Sequence, residues 1–164
     1  LGEKIPYILD GGACGVGLES TIVGLVENEI TVFRLGGLSL EAIEEVCGKV
    51  QLRQHSSNPQ APGMLDAHYS PTKKILLGNV AELLQKHRGE SPVLLRFSSL
   101  ISDYPESLQL VLSPQASVSE AAIHLFEYLR LADQFPSPLI LAEFVPETGL
   151  GRAINDRLKR ASFQ

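Results

Sequence analysis

The chain has 164 residues, of which 44% are hydrophobic, and a formal net charge of -5. It is long enough for one domain or one domain plus part of another. The acidic balance argues against a broad nucleic-acid surface, which needs an excess of Lys and Arg, and no apolar run approaches the roughly 20 residues of a membrane helix.

Residues 1–50 read as one block. After the strand-like Tyr7-Ile8-Leu9, Gly15-Val16-Gly17-Leu18-Glu19-Ser20 has the outline of a dinucleotide fingerprint. The sixth place is Ser, however, and β-branched residues follow, so a strand comes next where that motif needs a helix. Thr21-Ile22-Val23 and Ile30-Thr31-Val32-Phe33 are separated by Glu27-Asn28 and predict a hairpin. Ser39 is positioned to cap a helix with Leu40, Ile43, Val46 and Cys47 on one face and Gly48 as its stop. Two strands and one short helix make a small core. With the opening at Leu1, this reads as the closing part of a longer catalytic domain.

Residues 51–72 change texture. The run from Gln54 through Gly63 is polar, rich in turn formers and aperiodic, a linker by composition. Residues 73–164 then alternate strand and helix. Ile75-Leu76-Leu77, Val93-Leu94-Leu95, residues 108–112 and Leu139-Ile140-Leu141 are strand candidates. Asn79 with Glu82 forms a capping pair for a helix ending near Gly89. Residues 119–132 carry Ala122, Ile123, Phe126 and Leu129 on a helical face, and residues 152–161 form a last helix. The class is α/β, with a small, mostly parallel sheet covered by helices.

Candidate chemistry is sparse. Ser20 and Thr21, beside a glycine turn, could contact a carboxylate, amine or phosphate; alternatively, Ser20 caps a turn and Thr21 favours a strand. Arg34 ends a strand facing Gly36-Gly37, where backbone gives a ligand room, and a guanidinium binds phosphate or carboxylate in a fork. His68 and Tyr69 sit in the linker, and an aromatic there could fold over a base as a lid. No metal-ligand spacing joins His55, Asp66 and His68. Residues 147–151 form either an anion nest or a tight turn, with Asn155, Asp156 and Arg157 on a charged helix face. Lys73-Lys74 and Lys159-Arg160 read as solvated pairs, and His87 and His124 as surface or satisfied core positions. Cys14 and Cys47 read as reduced packing residues of a cytoplasmic protein, with no signal-peptide layout ahead of them.

Together these segments resemble a known family. Ile8-Leu9-Asp10-Gly11-Gly12, Gly17-Leu18-Glu19-Ser20-Thr21-Ile22-Val23 and Phe33-Arg34-Leu35-Gly36-Gly37 resemble the end of a YrdC-type domain. Ala61-Pro62-Gly63-Met64 and His68-Tyr69-Ser70-Pro71 resemble the linker of two-domain threonylcarbamoyl-AMP synthases. Ala142-Glu143, Gly149-Leu150-Gly151 and Ala153-Ile154-Asn155-Asp156-Arg157-Leu158 resemble the end of their Rossmann-like C-terminal domain. The resemblance implies a partial YrdC-like domain over residues 1–50, a linker and lid over 51–72 and a Rossmann-like domain over 73–164. It implies a synthase making threonylcarbamoyl-AMP from L-threonine, bicarbonate and ATP for the N6-threonylcarbamoyl modification of tRNA adenosine 37. Ser20 would contact L-threonine, Arg34 the nucleotide, and Tyr69 would close over ATP, with Mg²⁺ accompanying the nucleotide and no covalent nucleophile.

Two departures stand out. Leu65-Asp66-Ala67 replaces basic residues usual in the family, and the lysine and arginine that grip the phosphates do not occur in this chain. The expectation is therefore that these residues alone are inactive. The alternative is a nucleotide- or RNA-binding module of the tRNA-modification pathway, docking tRNA or a protein partner. Direct tRNA binding is disfavoured by the acidic balance.

Overall fold

A computed structural model describes residues 4–12, 14–53 and 71–162. The hairpin forms as the sequence predicts: β1 (Ile22–Val26) pairs antiparallel with β2 (Glu29–Arg34). Its two-residue turn has Glu27 at φ 51° and Asn28 at φ 65°. Two left-handed residues give the type I′ turn whose twist matches that of paired strands. Helix α1 (Leu40–Cys47) starts where Ser39 accepts from the Ala42 N–H, and ends at Gly48 with φ 77°. The short strand β3 (Gln51–Leu52) pairs parallel with β2, giving a three-stranded sheet in the order β1-β2-β3. Sequence reading places these two residues at the start of the linker; backbone pairing with Thr31 and Val32 draws them into the sheet.

The second sheet is fully parallel. Its strands are β4 (Lys74–Leu77), β5 (Val93–Arg96), β6 (Gln109–Val111) and β7 (Leu139–Ala142), in the order β4-β7-β5-β6. Helix α2 (Val80–His87) is capped by Asn79, whose side chain accepts from the Ala81 and Glu82 N–H groups and donates to Glu82 Oε1. Helix α3 (Val118–Gln134) is capped by Ser117, and α4 (Gly151–Ala161) closes the unit. Alternate residues of the central strands point to opposite faces. Val93, Leu95, Ile140 and Ala142 meet Ala121, Ala122, Leu125 and Leu129 of α3 and Ile154 and Leu158 of α4. Leu94, Leu139 and Leu141 meet Val80 and Leu84 of α2 on the other face. Burying each such Leu, Ile or Val side chain contributes about 1.5–3 kcal/mol, which is why strands covered on both faces are continuously apolar.

The first sheet has a smaller core: Val32, Leu35, Ile43 and Val50, completed by Ala153 from α4. Leu18 packs against both this cluster and the α3 cluster, so the two sheets meet along a shared apolar joint. Gly17 lies at that joint with φ +73°, where a Cβ would fall 2.2 Å from the Ala122 carbonyl oxygen. Gly17 therefore serves close packing onto α3, and no helix follows the run.

Several expectations change. Tyr7-Ile8-Leu9 forms no strand, pairs with none among the described residues and is exposed. On α1 only Ile43 is buried, while Val46 is exposed because the short helix offers the core a single turn-spaced position. Cys14 and Cys47 are exposed free thiols, not packing residues. Ile123 points outward, and Ala121, Leu125 and Ala132 take the buried face of α3. No helix among the described residues is long and apolar enough to cross a membrane.

Candidate functional site

The hairpin brings Ser20 and Arg34 together. Ile22 pairs with Arg34, with the register shifting between Ile22 and Val23, so Ser20 lies two residues before Arg34's partner. Arg34 Nε donates to the Ser20 carbonyl oxygen at 3.0 Å, and Nη2 donates to Ser20 Oγ at 2.9 Å. Ser20 is exposed, so its hydroxyl hydrogen is within reach of an incoming acceptor such as a carboxylate. Thr21 acts differently. Its Oγ1 donates to the Leu38 carbonyl at 2.8 Å and accepts from the Leu38 N–H at 3.0 Å, tying the strand start to the α1 entry.

The glycine pair beyond Arg34 does not hold space for a ligand. A Cβ on Gly36 would lie 2.3 Å from the Glu19 carbonyl oxygen and 2.4 Å from the Ser20 carbonyl carbon. The Gly37 N–H donates to that same Glu19 oxygen at 2.8 Å. The space that glycine leaves is filled by the chain's own backbone at residues 19–21, and this contact seats Ser20. Tyr69, His68 and the Leu65-Asp66-Ala67 departure lie outside the described residues.

The largest correction concerns α4. Sequence reading assigns its polar residues to a solvated face, whereas Asn155, Asp156, Arg157 and Arg160 are all buried. Arg157 is 1% exposed. It donates through Nε and Nη2 to Glu19 Oε2 at 3.2 and 3.0 Å, through Nη2 to the Leu35 carbonyl at 2.7 Å, and through Nη1 to Asp156 Oδ2 at 2.7 Å. Arg160 Nε donates to Asp156 at 3.0 Å. Asn155 donates to the Val145 carbonyl and accepts from the Val145 N–H, both at 2.9 Å. No buried side-chain nitrogen or oxygen among the described residues lacks a partner, as buried polar groups require. A helical signal for this existed. Residues 153, 157 and 160 are spaced as one helical row, beside the apolar row 154, 158 and 161, so the two cations point toward the packed side.

A second contact crosses the joint at the surface, where Arg152 Nη1 pairs with Glu41 Oε1. That hydrogen bond is the first cause holding the Glu41 carboxyl below its ordinary range. Residues 147–151 make the tight turn, with the Gly151 N–H donating to the Thr148 carbonyl at 2.9 Å. Of the pairs read as solvated, Lys73 instead caps the C-terminus of α3, donating to the carbonyls of Ala132 and Phe135, where the helix dipole favours a cation. His124 is a satisfied packing residue, with Nδ1 at 2.7 Å from the Leu112 carbonyl and its ring stacked on Tyr128. His87 pairs with Glu90. No cluster of three or more His, Cys, Asp or Glu able to hold a metal occurs among the described residues.

Comparison with known proteins bears directly on this arrangement. The family described as "Threonylcarbamoyl-AMP synthase, C-terminal domain" matches residues 38–162. The threonylcarbamoyl-AMP synthase of Pyrococcus abyssi is 34% identical over 97% of this chain and 50% of its own length. That of Bacillus subtilis is 30% identical over 99% of this chain and 50% of its own length. The crystal structure of P. abyssi Sua5 complexed with L-threonine superposes with a TM-score of 0.84 at 34% identity, covering 98% of this chain and 50% of that one. The chain thus spans about half the length of the curated relatives it matches. Buried α4 and the parallel sheet lie within the family match, the hairpin that carries Ser20 and Arg34 lies within the longer matches to the relatives, and the chain belongs to the threonylcarbamoyl-AMP synthase family.

Proposed function

We propose that the polypeptide carrying this chain makes threonylcarbamoyl-AMP from L-threonine, bicarbonate and ATP, as a nucleotidyltransferase serving the threonylcarbamoyl modification of tRNA. The observation that carries this reading is the Ser20–Arg34 pair, a hydroxyl and a guanidinium joined at 2.9 Å on an exposed hairpin edge. Ser20 binds L-threonine, its hydroxyl donating to the amino-acid carboxylate. Arg34 orients that hydroxyl and supplies positive charge to the nucleotide phosphates. Tyr69 closes over ATP from the linker. A consecutive His-Tyr pair is replaced by alanine in a P. abyssi Sua5 variant that superposes on this chain with a TM-score of 0.78; His68-Tyr69 is such a pair here.

The overall reaction joins the threonine amine to the bicarbonate carbon with loss of water. The resulting carbamate oxygen bonds to the α-phosphorus as the bond to the β-phosphate bridging oxygen breaks, releasing pyrophosphate. No covalent enzyme intermediate is needed. The demands are alignment of two anions and stabilisation of charge building at phosphorus, which a fixed guanidinium meets. ATP arrives as its Mg²⁺ complex, with the ion held by phosphate and water.

Activity belongs to the longer polypeptide; the 164 residues alone release no pyrophosphate from ATP in a threonine- and bicarbonate-dependent way. The test uses protein expressed from the native start codon, incubated with ATP, Mg²⁺, L-threonine and bicarbonate, with the adduct followed by mass spectrometry. Arg34→Ala should lower kcat/KM by about 10- to 100-fold, the worth of a charge-assisted hydrogen bond. No adduct from folded wild-type protein refutes the reading.

A further inference from the structure

Arg157 binds the residues next to both members of the site. Its guanidinium holds Glu19, the neighbour of Ser20, and the carbonyl of Leu35, the neighbour of Arg34. The Gly37 N–H also holds the Glu19 carbonyl, and Gly36 admits the Glu19-Ser20 backbone closer than any side chain would allow. The two strand ends are thus clamped across their gap by a residue of α4, 138 positions from Glu19 in the chain.

Holding the sheets together does not explain this choice of residue. Leu18 and Ala153 already make an apolar joint, and an apolar replacement of a buried ion pair is often neutral or stabilising. What an arginine adds is direction. Its planar fork donates to a carboxylate and a carbonyl at once, fixing their separation. Asp156 fixes the fork in turn, its Oδ2 accepting from both Arg157 Nη1 and Arg160 Nε. The guanidinium groups of Arg157 and Arg160 thus meet the carboxylates of Asp156 and Glu19.

We propose that Arg157 is a positioning residue: it sets the spacing of Ser20 and Arg34 and so makes threonine and ATP affinity depend on the seating of α4. This rests on the reading of Ser20 and Arg34 given above.

The experiment uses protein expressed from the native start codon, at a temperature where circular dichroism shows each variant fully folded. Calorimetric titration with L-threonine and with MgATP is compared for wild type, Arg157→Lys, Glu19→Gln, Ser20→Ala and Arg34→Ala. Arg157→Lys and Glu19→Gln should each weaken threonine binding about tenfold, within the usual span of coupling between sites, and their double variant should lose less than the product of the two. Should Arg157→Lys fail to fold, Glu19→Gln decides alone, since it is isosteric and Glu19 is partly exposed. Affinities within twofold of wild type in folded Glu19→Gln and Arg157→Lys, with Ser20→Ala and Arg34→Ala impaired, overturn the positioning role alone. Unchanged affinities in Ser20→Ala and Arg34→Ala overturn the site and the positioning role together.

Discussion

Asn155 provides the sharpest test of how α4 is seated. Its amide closes a two-bond ring with Val145, accepting from the N–H and donating to the carbonyl, both at 2.9 Å. Asn155 is 1% exposed and Val145 3%, so neither backbone group can turn to water instead. Asn155→Leu keeps the shape and removes both partners. Leaving one buried backbone group unpaired costs about 1–3 kcal/mol, and some local relaxation is to be expected, so the pair should cost about 2–4 kcal/mol. At about 2–4 °C per kcal/mol for a chain of this size, the melting temperature falls by roughly 10 °C. Urea unfolding followed by circular dichroism measures the loss, with the slope m unchanged if the unfolded state is unaffected. A loss below about 0.5 kcal/mol, the scatter of ordinary surface changes, would refute the reasoning, because Val145 would then have other partners available.

Two further outcomes follow from the joint between the sheets. Gly36→Ala places a Cβ 2.3 Å from the Glu19 carbonyl oxygen and 2.5 Å from the Thr21 nitrogen; it should destabilise by about 1–3 kcal/mol through overpacking and weaken threonine binding by displacing Ser20. An unchanged melt with unchanged affinity would show that the two segments part freely. Glu41 titrates lower in the folded protein than in the unfolded chain, chiefly because Arg152 donates to it. A depressed carboxyl contributes stability that is present above the ordinary value of 4.5 and is lost as pH falls through the lower, folded value. Glu41→Gln should therefore reduce stability above pH 4.5 and flatten the acid limb below it. Both side chains are substantially exposed, so the effect stays under about 1 kcal/mol and fades in high salt. Denaturant midpoints across that acid range decide it, and a steeper acid limb in the variant contradicts the assignment.

Much of the local architecture was legible in the residues because its causes act over a few positions. Ser39 and Asn79 cap their helices through N–H groups two or three residues on. Glu27-Asn28 turns the hairpin within its own two residues, and Val93-Leu94-Leu95 is a strand buried on both faces. The family motifs likewise pointed to Ser20 and Arg34, which the fold brings into hydrogen-bond contact. What the residues did not disclose was where a polar side chain ends up once distant elements meet. Lys73 and Arg160 each sit in a basic pair that reads as solvated by composition, yet one caps α3 and the other is buried against Asp156. Val46 sits at a helical position that reads as core, yet the small sheet leaves it in solvent. Glu19 and Arg157 are unremarkable alone. Only the packing of α4 against the hairpin removes water from between them and makes their charge pair directional. Sequence by itself therefore determined the elements and the family, whose signals are local. Tertiary structure decided which charges are buried and which of them pair across the two sheets, because desolvation depends on everything that packs around a group.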